Sequence, residues 1–161
     1  SVGELFDLAA AMERAAEALY RAFARKFAHE EEIAAFWQSY ADEEAAHAHW
    51  LEALKGRLSP DILARETNGE MLQAAKDALD VALDDLLGRI HNLDDAYELA
   101  NEMESGETNA IFEFLIEEYE VAKESQRFLK AQLKQHVLKV GLGFPAQYNG
   151  KANRLVVKAR M

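Results

Sequence analysis

Glutamate and histidine recur at mirrored positions along this chain: Glu13 with Glu44-Ala-Ala-His47, and later Glu104 with Leu133-Lys-Gln-His136. Glu44 and His47, three apart on a helix, project from one face and reach a common ion. Carboxylates are hard donors that bridge two ions and can change binding mode with a metal's oxidation state, and imidazole adds a neutral nitrogen. An isolated Glu-x-x-His arises by chance on helices rich in alanine and glutamate, where it reads as a solvated polar face. Repetition argues against chance here, because Met12-Glu13 is echoed by Met103-Glu104 and each glutamate has a histidine at matching depth. The chain has no cysteine, so disulfides, thiolate zinc sites and iron-sulfur centres are excluded, and any metal must be held by carboxylate and imidazole.

Two helical hairpins position these residues. Antiparallel helices bring residues equally far from their turn to one height; Glu13 and His47 are centred on residue 30, Glu104 and His136 on residue 120. At ~1.5 Å rise per residue each ligand lies roughly 25 Å from its turn, in the middle of a long helix. The apolar residues Leu5, Leu8, Met12, Leu19, Phe23 and Phe27 predict a first helix over 4–28. His29-Glu30-Glu31-Glu32 makes the turn and an acidic start for a second helix through Phe36, Tyr40 and Trp50, which Gly56 ends. Turn signals at Ser59-Pro60-Asp61 and Asn68-Gly69, followed by one amphipathic helix from Met71 to Leu87, predict a long, partly helical crossover. Asn92, an N-cap before Asp94 and Asp95, opens a third helix through Tyr97, Met103, Ile111 and Phe114. No glycine or proline lies between Glu107 and Lys139, so the turn near residue 120 rests on the mirrored ligands and on helix length.

Length and composition agree with one all-α domain: 161 residues, half of them hydrophobic, support a substantial core that only two prolines interrupt. That domain is expected over 1–140. Residues 141–161 form a basic C-terminal tail with Lys151, Arg154, Lys158 and Arg160 and no acid. The tail is +4 within a chain of −11, which leaves the body at −15. Two readings stay open for it: a solvated segment, or docking of Leu155-Val156-Val157 on the acidic body of the same or a neighbouring subunit. The acidic balance argues against a nucleic-acid surface, and no continuous apolar span or signal-peptide core is evident. A cytoplasmic protein without membrane or nucleic-acid partners is expected.

On these motifs the chain resembles the ferritin-like di-iron carboxylate superfamily, and within it the rubrerythrin-like group without the cysteine-rich rubredoxin part. The resemblance spans roughly residues 4 to 140 and implies a four-helix bundle with one glutamate from each of two helices and Glu-x-x-His from each of the others. Glu13 matches the first glutamate, Glu44 and His47 the first Glu-x-x-His, Glu104 the third-helix glutamate and His136 the second histidine. Glu107 matches a second third-helix glutamate found in rubrerythrins proper. Leu133 departs from the pattern, which has a bridging glutamate there. Two divalent ions bring +4 against −3 from Glu13, Glu44 and Glu104; Glu107 turned inward restores the balance. Three outcomes follow: two ions with Glu107 compensating, one ion held mainly by Glu13, Glu44 and His47, or a site without metal. The resemblance implies two iron ions, with one ion, zinc or manganese as alternatives. It further implies a peroxide- or dioxygen-linked oxidoreductase or a ferroxidase, a homodimer or larger assembly, and a separate electron-donor protein. The competing reading is a non-enzymatic metal-binding or structural helical module whose second metal position Leu133 has degraded.

Other residues read more plainly. His49 points away from His47 and is expected in solvent, and His29 and His91 fall near helix ends. Glu17 is either a spare ligand or a surface acid. Tyr20, two turns beyond Glu13, is either a core residue or, as in similar proteins, a hydrogen-bond donor to a ligand carboxylate. Phe36, Trp37 and Trp50 read as core or subunit contacts. Glu43 is expected to face outward, and Gln132, turned roughly 100° from Leu133, is a poor substitute ligand.

Overall fold

Ser1 opens the first helix with a reciprocal cap, its hydroxyl accepting the Glu4 N–H at 3.2 Å while the Glu4 carboxylate reaches back to the Ser1 backbone. The computed structural model describes residues 1–142, apart from the side chains of Glu107, Gly141 and Leu142. The chain forms α1 (Val2–Lys26), α2 (Glu31–Arg57), α3 (Pro60–Leu63), α4 (Gly69–Leu79), α5 (Leu83–Gly88), α6 (Leu93–Glu104), α7 (Glu107–Tyr119) and α8 (Lys123–Leu142). The first hairpin, α1 and α2, runs antiparallel about a turn at 27–30, and surface pairs Lys55–Asp7, Arg14–Glu52 and Arg21–Asp42 mark its register. In the second, α6 and α7 both pack against α8. Apart from α8 reaching Leu142, the expected basic tail lies outside the described residues.

Three expectations need correction. Gly56 does not end the second helix, which runs on to Arg57. The single amphipathic helix expected from Met71 to Leu87 is two helices, α4 and α5, separated at 80–82. The dipole explains the break: Asp84 and Asp85 sit in the first turn of α5, where acids are favoured, whereas in one continuous helix they would crowd its negative end. The interruption also sends Met71, Leu72 and Leu79 to one core cluster and Leu83, Leu86 and Leu87 to the other. Finally, the third bundle helix is broken at Ser105 and Gly106. Ser105 Oγ donates back to the Asn101 carbonyl at 2.9 Å, which competes with the helical ladder, and Gly106 adopts an extended backbone.

The turn near residue 120 forms without glycine or proline because side chains supply its hydrogen bonds. The buried Glu120 carboxylate accepts the Ala122 N–H at 3.2 Å and the Arg57 guanidinium at 2.9 Å. From α8, the Gln126 amide donates to the carbonyls of Glu117 and Glu120 left open at the end of α7. Asn92 caps α6 as expected, accepting the Asp95 N–H at 2.9 Å.

Apolar residues of the bundle separate into two clusters. One is aromatic, built on Tyr20, Phe23, Phe36, Trp37, Tyr40 and Tyr97. The other is mainly aliphatic and includes Leu5, Leu51, Ile111, Leu115, Leu129 and Leu133. Between them every bundle helix contributes polar residues: Glu13 from α1, Glu44 and His47 from α2, Glu104 from α6 and His136 from α8. The fold therefore encloses a polar layer between two dry ones. Among the described residues no helix is long and apolar enough to cross a membrane.

Candidate metal centre

Glu13, Glu44, His47, Glu104 and His136 are all buried and meet in this layer. His47 Nδ1 lies 3.6 Å from Glu13 Oε2 and 3.9 Å from Glu44 Oε2. His136 Nε2 lies 3.0 Å from Glu104 Oε2 and in closer contact with Glu44 Oε1. The two imidazoles stand edge to face, with centroids 4.9 Å apart. Donor atoms of Glu44, His47 and His136 all fall within 4.8 Å of one another, so the tightest group takes residues from both hairpins. The mirrored spacing thus brings together five of the six expected ligands. The side chain of the sixth, Glu107, lies outside the described residues.

Burying carboxylates and imidazoles is costly unless something satisfies them. Here both oxygens of Glu13, Oε1 of Glu44, Nδ1 of His47 and Nε2 of His136 are buried without a hydrogen-bond partner. Hard oxygens and imidazole nitrogens buried beside one another without hydrogen bonds are what a divalent cation of the iron, manganese or zinc class requires. The residues present fit such an ion.

Electrostatics separates the acids. Burial pushes the Glu13 carboxyl up to about 7, and the Glu104 charge adds to that shift. Burial, followed by neighbouring Glu13, raises Glu44 well above the ordinary carboxylate range. Glu104 moves down: burial opposes ionisation, but contacts with His136, Asn109 and Tyr20 outweigh it. Burial lowers His47, favouring the neutral ring a metal needs, whereas at His136 contacts with Glu104, Glu43 and Glu44 overcome burial and raise it. Protons on this cluster hold the positive charge that a bound cation would otherwise supply.

The surroundings resolve several open readings. Tyr20 donates to Glu104 Oε1 at 2.7 Å, so it serves a candidate ligand as well as the core. Glu17 is a surface acid, paired with Arg14 and Arg21. His49 is exposed, Phe36 and Trp37 are buried in the aromatic cluster, and Trp50 is half-buried against the other. Glu43 corrects its expectation: it lies only partly toward solvent, because its Oε2 is 3.1 Å from His136 Nδ1. The α8 register that turns His136 Nε2 inward carries its other ring edge across to α2, where Glu43 stands. Asn109 went unnoticed in the sequence; its amide donates to the Glu104 carbonyl at 2.8 Å and to Glu104 Oε2 at 2.9 Å. The only sequence signal near it is Ser105-Gly106, a pair that weakens a helix, a few residues before.

Leu133 is buried in the aliphatic cluster, so the position where the resemblance implies a glutamate carries an apolar side chain. Beside it a cleft of about 580 Å³ opens along Glu104, Asn109, Lys130 and Leu133.

The rubrerythrin family model matches residues 4–136. No curated protein and no solved structure gives a significant match. With its all-helical bundle, its buried Glu and His group and a match over most of its length, the chain belongs to the rubrerythrin family of the ferritin-like di-iron superfamily.

Proposed function

We propose that this chain is an iron-dependent oxidoreductase that reduces peroxide or dioxygen. The observation that carries the reading is the set of buried, unpartnered carboxylate oxygens and imidazole nitrogens facing one another between two apolar layers. Glu13, Glu44, His47, Glu104 and His136 would hold the metal. Ferrous iron, when bound, supplies the electrons and an open coordination position. The protein's part is placement and protection. Tyr20 and Asn109 engage the two Glu104 oxygens, Phe112 packs against the His47 ring at 4.9 Å, and the layers above and below exclude water. In this reading a separate protein supplies the electrons for repeated turnover. Apolar side chains left exposed on α8, Phe128 and Leu138, support self-association.

Anaerobic titration with ferrous iron, followed by addition of hydrogen peroxide, tests the proposal. The expected result is saturable binding and rapid oxidation of bound iron, with peroxide consumed in proportion. Binding without oxidation would remove the catalytic claim and favour the second reading, a metal-binding module without turnover. Leu133 is the observation on that side, since it takes one carboxylate from the expected ligand set. Elemental analysis gives the stoichiometry: two equivalents of iron per chain support the di-iron centre, and one of zinc would leave no redox chemistry.

A further inference from the structure

His136 is held at its ring face, its rear edge and its backbone. The Tyr40 ring stacks on the imidazole with centroids 4.3 Å apart and planes at 29°, and the Tyr40 hydroxyl donates to the His136 carbonyl. At the rear edge Nδ1 meets Glu43 Oε2 at 3.1 Å. The same oxygen accepts from Lys139 Nζ at 3.3 Å, and that ammonium also donates to Ser39 Oγ at 2.7 Å. On the opposite edge, Nε2 faces Glu44 and Glu104 and makes no hydrogen bond of good geometry.

An imidazole offers a metal the lone pair of one nitrogen while the other keeps its proton, and the partner of that second nitrogen decides which is which. A carboxylate there fixes the tautomer, orients the ring and strengthens its donor nitrogen. We infer that Glu43 is a positioning residue, which holds the proton of His136 on Nδ1 and aims Nε2 at the metal position shared with Glu44 and His47. The inference rests on the metal-binding reading above. Glu43 and Glu44 are adjacent on α2 yet act on opposite edges of one α8 ring, Glu44 at Nε2 and Glu43 at Nδ1. Through this pair the first hairpin sets the orientation of a ligand belonging to the second. Lys139, one turn beyond His136, and Ser39, one turn before Glu43, complete the clasp across α2 and α8.

Cobalt(II) serves as the probe, because its visible bands report the ligand set. Glu43→Ala should weaken cobalt binding by roughly 10- to 100-fold, the usual effect of losing an outer partner of a ligating histidine. Glu43→Gln keeps an acceptor and should lose less. Glu43 borders a small polar pocket of about 110 Å³ with Ala46, Gln132 and Gln135, so added formate should restore part of the affinity of the Ala variant. In the zinc-loaded wild type, nitrogen NMR should find the His136 proton on Nδ1, and Glu43→Ala should weaken that hydrogen bond. Cobalt affinity within twofold of wild type in Glu43→Ala would overturn the assignment. So would a loss that formate leaves untouched while the metal-free protein melts lower, the mark of a purely structural role. A wild-type protein that takes up no cobalt overturns this inference and the proposed function together; normal binding in both proteins overturns the role of Glu43 alone.

Discussion

In the first hairpin α1 and α2 run unbroken past the centre and deliver Glu13, Glu44 and His47; in the second, α6 stops at Glu104, α7 begins at Glu107 after a gap of two residues, and α8 presents His136 with Leu133 one turn before it. The carboxylates differ accordingly. Both Glu13 oxygens are buried without a hydrogen bond, whereas Tyr20 and Asn109 occupy the two oxygens of Glu104. Donor capacity is concentrated on the first hairpin, and the second contributes one histidine and a carboxylate already tied to the protein. A mirrored pattern of candidate ligands does not guarantee two equivalent metal positions. What each carboxylate can give an ion depends on how many of its lone pairs the protein has taken.

The sharpest way to break this asymmetry is to remove one glutamate from each side. Glu44→Ala should reduce ferrous or cobalt affinity on the order of 1,000-fold, equivalent to about 4 kcal/mol, because Glu44 touches His136 and stands within ligand distance of His47. Glu104→Ala should cost on the order of tenfold, about 1.4 kcal/mol, since much of its bonding goes to Tyr20 and Asn109. Isothermal titration of both variants measures the difference. Equal losses would mean that the hairpins contribute alike.

How much of this was legible in the sequence follows the same division. Mirrored spacing placed five of the candidate residues in one buried layer because α1 and α2 are continuous and because the turn at 120–122 restores the symmetry of the second hairpin. Side chains capping themselves were also visible, as at Asn92. Features that depend on partners distant in the chain were not. Nothing near Glu120 announces a turn until Arg57 arrives from α2. Glu43 reads as a surface acid until α8 brings Nδ1 of His136 against it. The breaks at 80–82 and 105–106 fall in stretches whose apolar periodicity continues across them, so a pattern reading joins what dipole and back-bonding separate.

Leu133→Glu would sharpen the comparison by restoring the missing acid on the weaker side. In the metal-free protein it should cost about 3 kcal/mol, as a carboxylate replaces a leucine packed in the aliphatic cluster. With metal present, equilibrium dialysis should show an additional equivalent bound and part of that loss recovered. Unchanged stoichiometry would indicate that the second position is already complete, with Glu107 supplying the charge. Tyr20→Phe acts on the same side with a smaller effect. It leaves Glu104 Oε1 buried without its donor and should lower the stability of the metal-free protein by about 2 kcal/mol, seen as a lower thermal midpoint. Binding of metal should offset some of the deficit if the freed oxygen turns to the ion.

The smallest effect belongs to the break itself. A β-carbon on Gly106 would stand 3.3 Å from the Met103 carbonyl oxygen and 3.4 Å from that of Glu102. Both are backbone atoms of the last turn of α6, which cannot rotate away as a flexible side chain would. Gly106→Ala also restricts the unfolded chain, a gain of roughly 0.4–1 kcal/mol where the native geometry tolerates the methyl group. Crowding against two carbonyls should exceed that gain and leave a net loss of about 0.5 kcal/mol, too small for a melting curve to assign but not for hydrogen exchange. Amides at the start of α7, including that of Asn109, should exchange faster in the variant while those of α1 and α2 are unaffected. Because Asn109 holds both the carbonyl and the carboxylate of Glu104, loosening there should also weaken metal binding slightly. Slower exchange in α7 would show that the junction is a spacer with room to fill, and the contrast between an unbroken hairpin and a deliberately interrupted one would lose its physical basis.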